Sequence, residues 1–204
     1  FLKTLVAEYL YQKYGLKVPC ENGILDRLEE PSEEELEDSF LKYEGKVKAK
    51  RSSEKAFKLS GTPESDGFRT NTTFILDAEE IHKKAKEKNI TVTAYMTAAL
   101  ILAVENIQRK QVRHRKKMKP IKVLVPVNLR KLFPSNTLRN FVLFSTPRID
   151  QRLGDYSFDE LCSIVYHTMG LEITAKNMSS IIAANVGDEK STILSLTPLF
   201  LKNL

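Results

Sequence analysis

Long hydrophobic runs are missing from this sequence, and that absence sets the first boundary. No stretch reaches the roughly 18 uninterrupted apolar residues that a membrane span needs. The densest apolar stretch, residues 94–104, has the length of a buried helix instead. Cysteine is scarce too: Cys20 and Cys162 stand far apart, with no CxxC pair. That argues against a disulfide framework or a zinc site and fits a reducing cytoplasm. No signal-peptide pattern opens the chain. The patterns GxxxxGK[ST], GxGxxG and GxSxG are absent, which leaves ordinary nucleotide-binding and hydrolase classes without support. Histidine, the usual general base near neutral pH, occurs three times, at His82, His114 and His167. None has an acid spaced to orient it, and none lies in an HxxxD pattern, so each reads as a surface or packing residue. No metal-ligand spacing occurs among His, Cys, Asp and Glu.

What is present suits a folded α/β protein. The 204 residues, 42% of them hydrophobic, suffice for one large domain or two small ones. The net charge of +6 permits nucleic acid, anionic lipid or a phosphorylated cofactor as partner and selects none of them. The chain begins without Met, at Phe1, already inside an amphipathic pattern, which reads as a cut. Residues 1–14 space Leu2, Leu5, Val6, Tyr9 and Leu10 on one helical face, and Gly15 is placed to stop that helix. An acidic patch at 29–38 and a basic run at 42–58 follow, with short helical pieces in a long surface connection. Residues 68–76, "FRTNTTFIL", read as a strand. Asp77, with Glu80 three residues later, predicts a capping box for a helix over 78–88 that carries Ile81 and Ala85 inward. The helix after Asn89 is apolar most of the way round, which predicts burial on several sides.

A basic loop over 109–120 holds Arg109, Lys110, Arg113, Arg115, Lys116, Lys117 and Lys119. These side chains could neutralise nucleic-acid phosphates, yet no aromatic residue is interleaved to stack on bases. A solvated helix–strand connection, or a patch attracting an anionic cofactor such as coenzyme A, are the other readings. Strands are expected at 121–127 and 140–149, and Ser157 caps a helix whose pattern runs on toward Ala184. "VGDEKS" should break that pattern before a last amphipathic piece at 192–204. Arg130 sits where a strand leaves the core, a place where a guanidinium usually pairs with a carboxylate. No acid lies near it in sequence, so its partner is distant or outside the chain.

On these residues the sequence resembles a known superfamily. The carriers are Pro126, Val127 and Arg130; Asn140, Phe141 and Val142; Pro147 and Arg148; and Ser157, Phe158, Glu160 and Leu161. Their order is similar to the "PVxxR", "GNF", "LPLR" and "SFxELL" series of condensation domains and chloramphenicol-acetyltransferase-like acyltransferases. Arg139 stands where the family's glycine is usual. "NITVTAYMTAALILAV" resembles a core helix of that family, and "FLKTLVAEYLYQKYG" the helix after its HHxxxDG motif. The nearest branch is alcohol-acetyltransferase-like.

The resemblance implies an α/β fold, part of a two-layer sandwich with a mixed sheet and packed helices. Residues 1–66 would end the N-terminal lobe and cross over, and 67–204 would form part of the C-terminal lobe. It implies acyl transfer from a thioester, on coenzyme A or a phosphopantetheine arm, to an alcohol or amine. The general-base histidine of HHxxxDG is expected upstream of Phe1, so the chain alone is expected to be inactive. Arg130 would tie to the motif's Asp, and Asn140 would order the strand beside the acceptor tunnel. Asn128 and Ser145 would be polar tunnel contacts, the latter toward an oxyanion. A non-catalytic module of the same fold and, further off, a basic nucleic-acid-binding domain remain as alternatives. Apolar surface left uncovered by a missing lobe predicts self-association.

Overall fold

The structure, a computed structural model, describes residues 1–191 except positions 27, 50–53, 63, 66 and 69. The expected amphipathic piece at 192–204 lies outside the described residues. The chain forms two compact units.

The first unit comprises Phe1–Asp38 with Asn136–Arg139. Helix α1, Leu2–Tyr14, ends as its sequence predicts: Gly15 adopts φ 67°, and its N–H donates to the Tyr11 carbonyl at 2.9 Å. Glycine suits this left-handed closing position because it has no Cβ to clash there. No residue of α1 is buried. The acidic patch contains a one-turn helix α2, Glu33–Leu36, inside a complete Ser32–Glu35 capping box. Asn136–Arg139 is held to it by backbone and side chain. The Leu138 N–H donates to the Glu35 carbonyl at 2.8 Å, and the buried Thr137 hydroxyl donates to the Glu37 carbonyl at 2.6 Å.

The second unit comprises Ser39–Ser135 with Asn140–Leu204. Its centre is one antiparallel ribbon in a single register, broken in the middle. Strands β1 (Ile121–Lys122) and β2 (Val125–Asn128) pair with β4 (Arg148–Ile149) and β3 (Val142–Ser145) respectively. The sequence predicts two unbroken strands at 121–127 and 140–149. The break falls where Pro147, lacking an N–H, sits opposite Val123: one bond remains, from the Val123 N–H to the Pro147 carbonyl at 3.1 Å. Val125, Val127, Leu143 and Ser145 face the core; Pro126, Asn128 and Phe144 face outward. This is the period-two alternation of a half-buried strand pair.

Each half of the ribbon packs on its own helices. The β1–β4 half lies against α5 (Val92–Gln111) and α6 (Phe158–Glu172), through Ala94, Ala98, Ile101, Leu161 and Val165. The β2–β3 half lies against α7 (Ala175–Glu189), through Met178, Ile182 and Val186, with Phe40 from α3 (Ser39–Lys42) edge-on to Phe141 at 5.1 Å. Burying each such aliphatic side chain contributes about 1.5–3 kcal/mol. Segment 45–49 also runs against α7: a Cβ on Gly45 would stand 2.9 Å from the Ser179 carbonyl oxygen, so only glycine fits.

Several expectations need correction. Among the described residues of 68–76 there is no strand. Among the described residues the four strands pair only with one another and none pairs with this stretch, whose Phe74, Ile75 and Leu76 are exposed. In α4, Ala78–Glu87, Asp77 caps the N–H groups of Glu79 and Glu80, but the reciprocal half of the box is absent because Glu80 pairs with Lys84 at 2.7 Å instead. Helix α5 is buried along one stripe, Ala94, Thr97, Ala98, Ile101, Glu105 and Gln108, while Met96 and Leu100 stay exposed. The helical pattern after Ser157 is two helices. It breaks at Ile173 and Thr174, where Thr174 caps α7 and so redirects the chain over the other half of the ribbon. "VGDEKS" does not break the pattern at its start: α7 continues through Gly187 to Glu189.

Candidate functional site

Two places hold residues with chemical potential: the turn end of the ribbon, and the basic loop beside its other end. At the turn end the register sets Asn128 opposite Val142, and the Leu129 N–H extends the ladder by donating to the Phe141 carbonyl at 3.2 Å. Arg130 and Asn140 follow directly, so the ribbon brings Asn128, Arg130 and Asn140 together. Asn128 accepts a hydrogen bond from the Arg130 N–H at 3.2 Å and thereby caps a 3-10 turn over Leu129–Lys131. Arg130 is half-buried, and Asn140 is exposed. Ser145 does not join them. It lies on the core face, fully buried, and its hydroxyl donates to Glu172 Oε2 at 2.7 Å.

Glu172 is a residue whose part the sequence did not disclose. The Thr146 N–H donates to the same oxygen at 2.7 Å, and Asn177 Nδ2 donates to the Glu172 carbonyl at 2.7 Å. One carboxylate therefore joins the interruption in the ribbon to the break between α6 and α7. Only the fold brings these positions together.

The basic loop is divided by its surroundings. Gln108, fully buried on α5, clamps its far end: Nε2 donates to the Lys119 carbonyl at 3.0 Å, and the Lys119 N–H donates to Oε1 at 3.2 Å. Arg115 Nη2 donates to Asp155 Oδ1 at 2.5 Å, and Arg109 reaches both that oxygen and the buried Glu105. The two arginines hold the Asp155 carboxyl below its usual range, Arg115 first. Arg109 is raised in turn, Glu105 being the larger cause. Nearby, Glu54 pairs with Arg148 and lies 3.4 Å from Lys122. Asp150 is bound by Arg152 at 2.5 Å, which lowers its carboxyl. Arg109 and Arg115, two of the cations that could have met phosphates, are thus already paired with carboxylates.

The remaining cations of the loop line a cleft of about 890 Å³. Arg113, Lys117 and Lys119 form one wall, and Lys55 and Lys58 the other. The second wall is tied in place by Phe57, whose N–H donates to the Pro120 carbonyl at 2.9 Å and whose ring packs on the core. Lys55 and Lys58 were legible only as part of a basic run at 42–58; nothing in sequence joined them to a loop about fifty residues away.

The three histidines stay apart. His82 and His167 are exposed on α4 and α6, and His114 precedes the 3-10 turn over Arg115–Lys117. None has a carboxylate hydrogen bond among the described residues. No group of three metal-ligating side chains forms among the described residues. Cys20 is exposed; Cys162 is buried, and burial raises its thiol.

The mixture of small antiparallel strand pairs and packed helices is an α/β arrangement of the kind that coenzyme A-dependent acyltransferases use. Residues 46–146 match the model of the alcohol acetyltransferase family, and this match supports the alcohol-acetyltransferase-like branch of that superfamily. The matched stretch contains both walls of the basic cleft, α4, α5 and the turn end of the ribbon. Comparisons with curated proteins and with solved structures gave no match.

Proposed function

We propose that this chain serves acyl transfer from a coenzyme A or phosphopantetheine thioester to an alcohol or amine, and that its own residues support the site without moving the proton. The family match over 46–146 carries the reading. The exposure of His82, His114 and His167, none oriented by a carboxylate among the described residues, supports placing the general base outside these 204 residues. In this reading 1–66 closes an N-terminal lobe and crosses over, and 67–204 belongs to a C-terminal lobe. Arg130 positions the Asp of the HHxxxDG motif, Asn140 orders the strand beside the acceptor tunnel, Asn128 is a polar contact to the substrate, and Ser145 reaches an oxyanion only if Glu172 releases its hydroxyl. The cytoplasm is the proposed location, in keeping with two free cysteines. Among the described residues no single helix is long and apolar enough to cross a membrane.

The test compares the 204-residue chain with a longer product that includes the residues encoded before Phe1, each given acetyl-CoA and a panel of alcohols and amines. The short chain is expected to transfer nothing, and a product carrying HHxxxDG is expected to turn over. Transfer by the short chain that is lost on changing His82, His114 or His167 would overturn the reading. An extension without the motif would favour a non-catalytic module. The same preparation tests self-association, expected because Phe74, Ile75 and Leu76 and the whole of α1 expose apolar surface. A constant monomer mass by light scattering across concentrations would remove that expectation.

A further inference from the structure

The cleft between residues 55–60 and 111–119 gathers five cations, Lys55, Lys58, Arg113, Lys117 and Lys119, and no acid lines it. None of the five has an ion-pair partner among the described residues. By contrast Arg109 and Arg115, in the same run, are answered by Asp155, and Lys122 and Arg148 beside it by Glu54. Holding like charges together without a counter-charge raises the local positive potential, and a bound anion relieves it.

Both walls are fixed, which separates this cleft from a set of loose surface lysines. Gln108 clamps Lys119, Asp155 holds Arg115, and Phe57 binds the opposite wall to Pro120. A pre-arranged cation set loses less freedom when a ligand arrives. The volume, about 890 Å³, is far larger than a single phosphate needs and lies within the roughly 300–1,000 Å³ of small-molecule sites. Ser60 and Gln111 add neutral hydrogen-bonding groups, and Val112 adds apolar wall. A nucleic-acid strand would need a series of exposed rings on which to stack, whereas of the lining's two rings Phe57 is packed against the core and His114 alone is exposed.

We infer that this cleft binds the phosphate-bearing nucleotide end of the thioester donor, an adenosine 3′,5′-bisphosphate group, an assignment that rests on the acyltransferase reading above. The two walls grip phosphates set apart on one ribose, which a single row of lysines does not do. Lys58 and Lys117, from opposite walls, are both required. Lys110 and Lys116 belong to the same basic run but do not line the cleft, so they serve as internal controls.

The experiment is calorimetric titration of the 204-residue chain with adenosine 3′,5′-bisphosphate, with inorganic phosphate and a single-stranded oligonucleotide as comparison probes. Saturable binding at one site is expected, tighter than that of inorganic phosphate. Lys58→Gln and Lys117→Gln are each expected to weaken it about fivefold or more, the worth of one exposed charge-assisted contact. Lys110→Gln and Lys116→Gln should change it less than about twofold. Circular dichroism checks that each variant is folded, and all four changed residues are exposed. Equal losses from all four variants would overturn the site in favour of a diffuse field. So would the absence of saturation, or tighter binding of the oligonucleotide with a steep salt dependence. Because the readout is binding, the two proposals fail separately. Lysine-specific bisphosphate binding with no acyl transfer by the longer product keeps the site and removes the acyltransferase reading. Transfer by the longer product, with binding indifferent to Lys58 and Lys117, does the reverse.

Discussion

The segment 109–119 feeds basic side chains into two different surroundings. On one side Arg109 and Arg115 meet Asp155 and Glu105, and close by Lys122, Arg148 and Arg152 meet Glu54 and Asp150. On the other side Arg113, Lys117 and Lys119 face Lys55 and Lys58 across a cleft with no carboxylate in its lining. The first region spends its cations on the fold, stitching 54, 105, 150 and 155 to the ends of the ribbon and α5. The second leaves its cations available to a ligand. Composition treats the two alike; only the position of each carboxylate separates them.

The comparison predicts different responses to substitution. Gln108→Leu should have the largest effect, since it strands the Lys119 N–H and carbonyl while leaving an apolar side chain in a buried place. A loss of about 2–3 kcal/mol is expected in chemical denaturation, together with weaker bisphosphate binding. Stability unchanged by this substitution would mean that the loop is not held as described. Glu54→Gln follows: it leaves Lys122 and Arg148 without their carboxylate, at a cost of about 1 kcal/mol that shrinks in high salt. A loss that salt leaves untouched would show the contact to be packing rather than charge.

A smaller effect is expected from acid. Asp155 and Asp150 have lowered carboxyl values, so their contribution is fully present above the ordinary carboxylate value, about pH 4. It is lost as pH falls through the lowered folded values. Asp155→Asn should therefore flatten the fall of the melting temperature below about pH 4 and lower the melting temperature slightly at neutral pH. An unchanged acid slope would break the paired half of the comparison. The smallest effect belongs to the cleft: Lys58→Gln with Lys117→Gln should leave stability within about 0.5 kcal/mol, or raise it by easing repulsion. A marked destabilisation would show that these lysines serve the fold after all.

Much of the local structure is legible in single residues. Gly15 marks the end of α1, Ser157 with Glu160 opens α6 as a complete capping box, and the alternation from Val125 to Asn128 gives the faces of the ribbon. These succeed because a cap or a strand face is fixed by groups within a few positions of one another. The misses share an opposite cause. "FRTNTTFIL" has strand composition, but a strand exists only when a partner receives its backbone groups. The helix after Ser157 shows no breaking residue at Ile173, yet it turns there because α6 and α7 cover different halves of the ribbon. At the candidate site, Asn128, Arg130 and Asn140 were singled out from residue order and the family resemblance. Glu172 and Gln108 were not, since their partners lie 26–27 and 11 positions away.

By itself, then, the sequence determined the end of α1, the starts of α4 and α6, the surplus of positive charge and the family resemblance, all properties carried by neighbours or by residue order. The tertiary structure decided which of those charges are answered and which are left to face one another. Pairing depends on distance in space. A carboxylate at 155 neutralises arginines at 109 and 115, and a hydrogen bond from the Phe57 N–H to the Pro120 carbonyl sets Lys55 and Lys58 opposite Lys117, only once the chain has folded back on itself.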